Sequence, residues 1–208
     1  MRKKTESRRE AIISAATLEF HENGYDGASI SSIMSRVGGS KQTLYNYFPS
    51  KDDLFIEVMA RTITEHVDAL TSELVKGGDL VQALCRYGER YLINRQSPDC
   101  LGLFRLAFGE SAHSDIGRQL YQRGKLHGIA IVTEFLTAAM STGQLHAINP
   151  TAAAFHFFGL LDAELFEPII LRAREPATTH EIADVVARAV SAFFAAYARP
   201  ENNMLNSP

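Results

Sequence analysis

The 208-residue chain is 46% apolar and 22% charged with a net charge of −3, a balance that excludes a wholly disordered chain and a polycation. No run of about 18 uncharged apolar residues is present, so no helical membrane span is expected. The two cysteines, Cys85 and Cys100, lie far from any closely spaced histidine pair, so neither a disulfide framework nor a metal site is expected.

The first nine residues, MRKKTESRR, carry five basic groups and one acid, which reads as a basic arm suited to phosphates. They lead into AIISAATLEF without a small-residue cleavage site, so no secretory signal is read and a soluble, cytoplasmic protein is expected. Helical periodicity then runs through the chain with no competing alternation, and the expected fold class is all-α. A first helix carries Ala11, Ile12, Ala15, Ala16, Leu18, Glu19 and Phe20, with Ser7 as its cap, Glu10 completing a capping box, and Asn23-Gly24 as its end. Ser29 caps a second helix over Ile30, Ile33, Met34 and Val37, which stops at Gly38-Gly39. Ser40 starts a third that Pro49 closes.

Ser50 caps a fourth helix from Lys51 to about Val75, with Asp52 and Asp53 where the helix dipole favours acids. Further helices are predicted over Leu80–Asn94, around Leu101–Phe108, over Ile116–Met140, over Thr151–Arg172 with a kink near Pro168, and over Thr179–Ala198. The expected division is a small unit at 1–50, a larger helical body at 51–200, and a frayed tail at 201–208.

The tight turn containing Gly38 between the second and third helices is the signature of a helix-turn-helix. In such a motif the second helix enters the major groove of DNA. Ser40, Lys41, Gln42 and Thr43 fill the first turn of the third helix, Gln42 being suited to an adenine edge and the Thr43 methyl to a thymine methyl. Tyr45 and Tyr47 can each offer a hydroxyl to phosphate while Leu44 and Phe48 point inward, and Lys51 suits a further phosphate. A solvated polar helix would explain the charges but not two outward tyrosines.

Here the sequence resembles the TetR/AcrR family of bacterial transcriptional regulators. The resemblance begins at Phe20, Gly24 and Tyr25, continues through Ser29 and Ile33, and culminates in Gly38, Ser40, Lys41, Thr43, Leu44, Tyr45, Tyr47, Phe48, Lys51, Leu54 and Phe55. It implies a homodimer, a DNA-binding head and a body that takes a small-molecule effector; nothing in the sequence resembles a Gly-rich phosphate loop or a nucleophile elbow, so neither catalysis nor a cofactor is expected. By position it assigns Ser29, Ser31, Ser40, Lys41, Gln42, Thr43, Tyr45, Tyr47 and Lys51 to contacts with double-stranded operator DNA. Asn46 stands where the family often has an aromatic residue. The family usually has alanine where Met34 and Val37 stand, and valine or isoleucine at Gly39. Met34 is expected to fill the space that Gly39 leaves.

The body resembles the family weakly, through GQLHAINPTAAAFHFFGLLDAEL and through FRLAFGES, which is similar to a subgroup associated with drug efflux. The last helix carries Ile182, Val185, Val186, Ala189, Val190, Phe193, Phe194 and Tyr197, its apolar face widened by Ala183, Ala187 and Ala195. The preceding helix is apolar nearly all round. Such faces would leave a large patch on a monomer, so dimerisation through the last two helices is expected. Phe104, Phe108, Phe135 and Phe158 are expected as walls of an effector pocket, with Arg105, His113 and Asp162 as polar groups in it.

The expected function is a repressor released from a palindromic operator by a small hydrophobic molecule. An activator of the same fold, an enzyme with a helical body and a helical protein-interaction module are the alternatives. No paired carboxylates or nucleophile-base motif supports the enzyme.

Overall fold

The computed structural model describes residues 2–112, 115–146 and 148–199. Among these the chain is helical throughout, with one isolated bridge between Leu145 and Ala198 in place of any strand. The elements are α1 Arg2–Gly27, α2 Ile30–Val37, α3 Lys41–Tyr45, α4 Lys51–Val75, α5 Leu80–Arg95, α6 Pro98–Glu110 and α7 Ile116–Leu120. A π-helical turn, Tyr121–Lys125, then leads into α8 Leu126–Ser141, α9 Pro150–Asp162, α10 Phe166–Ile170 and α11 Thr179–Tyr197.

Local caps set many of these ends. The Ser29, Ser40, Asp79 and Asn149 side chains accept from the backbone N–H three residues on, and Thr178 forms a full capping box with Glu181. Ser50 does the same for α4, its hydroxyl accepting from the Asp53 N–H at 3.0 Å. The expected cap at Ser7 does not form, because α1 is already helical from Arg2. The helix breaks near Gly24 (φ 66°, ψ 179°), and its last turn carries Tyr25.

Two long predicted helices are interrupted instead. The stretch from Ile116 is broken by the π-helical turn Tyr121–Lys125, after which α8 buries Ile129, Val132 and Leu136 in the second unit. The stretch from Thr151 parts at residues 163–165 rather than kinking at Pro168. Proline cannot donate to the carbonyl four residues back, so the chain ends α9 and restarts with Pro168 in the first turn of α10, where no N–H is needed.

The chain forms two compact units, residues 1–65 with 102–123, and residues 66–101 with 124–208. In the first, Ile12, Ala16, Phe20, Ile33, Leu44, Leu54 and Phe55 build a core that α6 and α7 complete with Leu103, Ala107 and Ile116. The edge-to-face rings of Phe20 and Phe55 (4.8 Å) and of Tyr25 and Phe55 (4.9 Å) pack there. In the second, Tyr87 of α5, Phe157 and Phe158 of α9 and Phe193 of α11 are buried together. The broad apolar face of α11 divides: Ile182, Val185, Val186, Ala189, Val190, Phe193 and Tyr197 are buried, while Ala187, Ser191, Ala192, Ala195 and Ala196 face out. The large patch expected from sequence is therefore mostly consumed within the unit, and the outward residue set is small.

Gly88 is where α5 meets α9 and α11 most closely. A Cβ there would lie 2.9 Å from both Leu161 Cδ2 and Val186 Cγ1. Gly88→Ala gains about 1 kcal/mol of helix propensity but overpacks at about 1–3 kcal/mol. We expect a net loss of about 1 kcal/mol in urea unfolding. Gly102→Ala in α6, whose Cβ would meet nothing within 4 Å, should be neutral or stabilising in the same measurement.

Candidate nucleic-acid interface

Helix α2 is gripped at both ends by side chains of α1. At its N-terminus the buried Glu19 carboxylate accepts from the Ser32 hydroxyl at 2.6 Å and the Ser29 backbone N–H at 3.3 Å, with Arg36 Nη2 at 3.4 Å. The Ser32 hydrogen bond leads the effects that hold this carboxyl below its ordinary value of 4.5. Arg36 also pairs with Glu22. At the C-terminus of α2, Arg8 donates to the Val37 carbonyl at 3.3 Å and to that of Gly38. These carbonyls lack intrahelical partners, and a cation at that end is favoured by the helix dipole. Two members of the expected basic arm are thus engaged within the unit, Arg8 here and Arg9 with Glu57 at 3.0 Å.

The turn follows from the same contacts. Gly38 (φ 78°) and Gly39 (φ 109°) both take left-handed backbone that disfavours other residues. A Cβ on Gly39 would also meet Arg8 Nη2 at 2.6 Å and Met34 Cε at 3.3 Å. Met34 is buried and does fill space beside Gly39, as expected, but it shares that space with the Arg8 guanidinium.

The side chains assigned to DNA distribute as follows. Ser29 and Ser31 are exposed at the start of α2, Ser29 with its oxygen committed to the cap. Ser40 caps α3 and lies 3.1 Å from the Thr43 hydroxyl. Lys41 and Gln42 are exposed, and the Gln42 amide donates to Asn46 Oδ1 at 3.4 Å, one helical turn on. Tyr45 is 42% exposed, whereas Tyr47 is half-buried against the core, less outward than the sequence implied. Leu44 and Phe48 are buried beneath them. Lys51 is half-buried with its ammonium 4.5 Å from the Tyr25 ring, and Tyr25 donates to Asp52. Lys41, Gln42, Tyr45 and Asn46 therefore form one outward polar face, supported by Ser40 and Thr43 and flanked by Ser29 and Ser31.

The residues expected around an effector fall in both units. Phe104, Arg105 and Phe108 belong to α6 in the first, with Phe104 and Phe108 6.0 Å apart and Phe108 exposed. His113 lies outside the described residues. Phe135, Phe158 and Asp162 belong to the second. There Asp162 accepts from the Tyr91 hydroxyl at 3.0 Å, Arg95 Nε at 3.2 Å and Lys125 Nζ at 3.4 Å. Phe158 packs edge-on to Tyr91 at 5.0 Å and lies under the Lys125 ammonium at 4.5 Å. Burial pushes the Tyr91 phenol up and the Lys125 ammonium down, and it lifts the Cys100 thiol to about 11, an unreactive value. A cleft beside Arg95 holds about 10 Å3, room for one water at most.

Sequence reasoning missed Glu19 and Arg8 in these roles. Glu19 did leave a signal: it occupies the i+7 place of the stripe Ile12, Ala15, Ala16, Phe20, where a carboxylate must find partners. Arg8 left none, since its partners are 29 and 30 residues away.

Residues 12–58 match the profile of the bacterial regulatory proteins of the tetR family, and residues 82–199 match that of the AefR-like transcriptional repressor C-terminal domain. The HTH-type transcriptional repressor BdcR of Escherichia coli (strain K12) is 28% identical over 147 residues, 64% of this chain and 75% of that protein. A TetR-family regulator from Mesorhizobium loti MAFF303099 superposes with a TM-score of 0.82 at 27% identity, over 94% of this chain and 98% of that one. The flavonoid-responsive regulator FrrA superposes at 0.69 with 27% identity, over 94% and 99%.

The Glu19 clamp has a defined pH dependence. Its folded value is lowered, so the stability it contributes is fully present above its unfolded value near 4.5 and is lost as the pH falls through the folded value. Glu19→Gln should cost about 1–3 kcal/mol at neutral pH. It should also flatten the loss of urea stability as the pH falls from 5 to 3, relative to the wild type.

Proposed function

The chain belongs to the TetR family and is a DNA-binding transcriptional regulator, and from that premise we propose that it is a homodimeric repressor released from a palindromic operator by a small hydrophobic molecule. The observation that carries the reading is the outward face of Lys41, Gln42, Tyr45 and Asn46 on a helix whose predecessor is fixed at both ends. On this reading Lys41 and Tyr45 hold phosphates, Gln42 reads a base edge, and Ser29, Ser31, Ser40, Thr43, Tyr47 and Lys51 lie along the same contact. The two heads of a dimer would then meet successive major grooves about 34 Å apart.

Dimerisation through α9 and α11 is supported by their outward residues, Phe155 and Gly159 on one helix and Ala187, Ser191, Ala192 and Ala195 on the other. Small side chains let helices approach closely. Response to an effector is supported by likeness to the flavonoid-responsive FrrA. A role in drug efflux rests on FRLAFGES, and transcript profiling after gene deletion tests it; raised target transcripts mark a repressor and lowered ones an activator.

A mobility-shift titration against the DNA upstream of the gene tests the reading. Affinity should fall steeply with salt as counterions are released. Lys41→Ala should weaken binding to all sequences and reduce the salt slope by about 1, whereas Gln42→Ala should lose about 1–3 kcal/mol of preference at one base pair. Wild-type binding by both variants would remove α3 from the role of reader.

A further inference from the structure

Of the four polar side chains on the outward face of α3, two are joined to each other. The Gln42 amide Nε2 donates to Asn46 Oδ1 at 3.4 Å, and beneath that bond the Asn46 backbone N–H donates to the Gln42 carbonyl at 3.2 Å. Both side chains are exposed. Neither bond is needed to bury the inner face of the helix.

Asn46 is the fixed member of the pair. Its backbone is helical (φ −70°, ψ −19°) at the end of α3. It stands between buried Leu44 and Phe48, and the Phe48 N–H donates to the Leu44 carbonyl across it at 3.0 Å. Asparagine has two side-chain torsions and glutamine three, so the shorter residue anchors the longer one. A glutamine side chain is among the costliest to immobilise, and ordering it before contact lowers what DNA binding must supply.

The orientation of the amide decides what it can read. Turned over about its last torsion, an amide exchanges its donor and acceptor ends. In the major groove adenine offers N7 as acceptor beside its N6 donor, a pattern that one orientation of Gln42 matches and the other opposes. Asn46 Oδ1 only accepts, so it selects the orientation with Nε2 toward it. Nε2 carries two hydrogens. One serves Asn46, and the other completes a donor-acceptor edge with Oε1. A bond of 3.4 Å between exposed groups is weak in water, and the exclusion of water at a DNA surface strengthens it.

We propose that Asn46 is a positioning residue for base recognition, holding the Gln42 amide in the one orientation that reads an adenine edge and setting base preference through Gln42 rather than by a contact of its own. This rests on α3 being the reading helix. Asn46 stands where the TetR family often has an aromatic residue, so the pairing belongs to this chain and not to the family pattern.

The test starts with the full chain selecting duplexes from a randomised pool. The enriched duplex and its single base-pair substitutions are then titrated by mobility shift. Gln42→Ala should lose about tenfold of preference at one base pair, and Asn46→Ala about fivefold at that same base pair. The double variant should lose no more than Gln42→Ala alone, because the two side chains act as one. Asn46→Asp keeps an acceptor for the amide. Its charge should weaken binding to every duplex while the preference at that base pair is retained. Loss at a different base pair, additive losses in the double variant, an equal loss on every duplex from Asn46→Ala, or lost preference in Asn46→Asp would each overturn the proposal. Wild-type preference in Gln42→Ala, or no duplex enriched, removes α3 as the reader and the positioning role with it. Lost preference in Gln42→Ala beside wild-type preference in Asn46→Ala overturns the positioning role alone.

Discussion

The grip of α1 on both ends of α2 is the constraint from which the reading head follows. An eight-residue helix is only about 12 Å long, too short to persist through its own hydrogen bonds. Its unsatisfied terminal groups are matched from one neighbouring helix, by Glu19 at the start and Arg8 at the finish. Ile30, Ile33 and Met34 bury its inner face. With both termini fixed, the turn after Val37 has little freedom, and the two positive-φ glycines accept the path that Arg8 leaves. Helix α3 is then placed by the turn and by Leu44 and Phe48 beneath it, and its outward residues need contribute nothing to folding. That separation lets such a face be specified for a partner.

What was legible in the sequence was what is local. Ser29, Ser40 and Ser50 cap the helices they precede, because a cap bonds a backbone N–H three residues on and needs no tertiary context. The all-α class, the range of α4 and the inward pair Leu44 and Phe48 follow from periodicity for the same reason. Ser7 shows the limit of local reading: its side chain has the right chemistry and the right residue three places on, but the preceding residues continue the helix. The π-helical turn was hidden because sequence periodicity shows an apolar stripe but not a local widening of the helix. Glu19 was visible as an anomaly in an apolar stripe, though its partners were not. Arg8 and the Asp162 cluster, with partners 29 to 71 residues away, depend on the finished fold.

The reading head resists rearrangement from within. Coupling between two sites amounts to roughly 1–3 kcal/mol in most proteins. Rearranging α3 within its head would require release of the Glu19 and Arg8 bonds and of buried Leu44 and Phe48, a cost beyond that range once several such contacts are broken. Moving the head as a body breaks none of them. A change in the placement of a head can therefore leave its interior unchanged. Each head holds its reading helix by contacts that lie wholly within the first unit, and helix α4 runs from residues of that unit into those of the second.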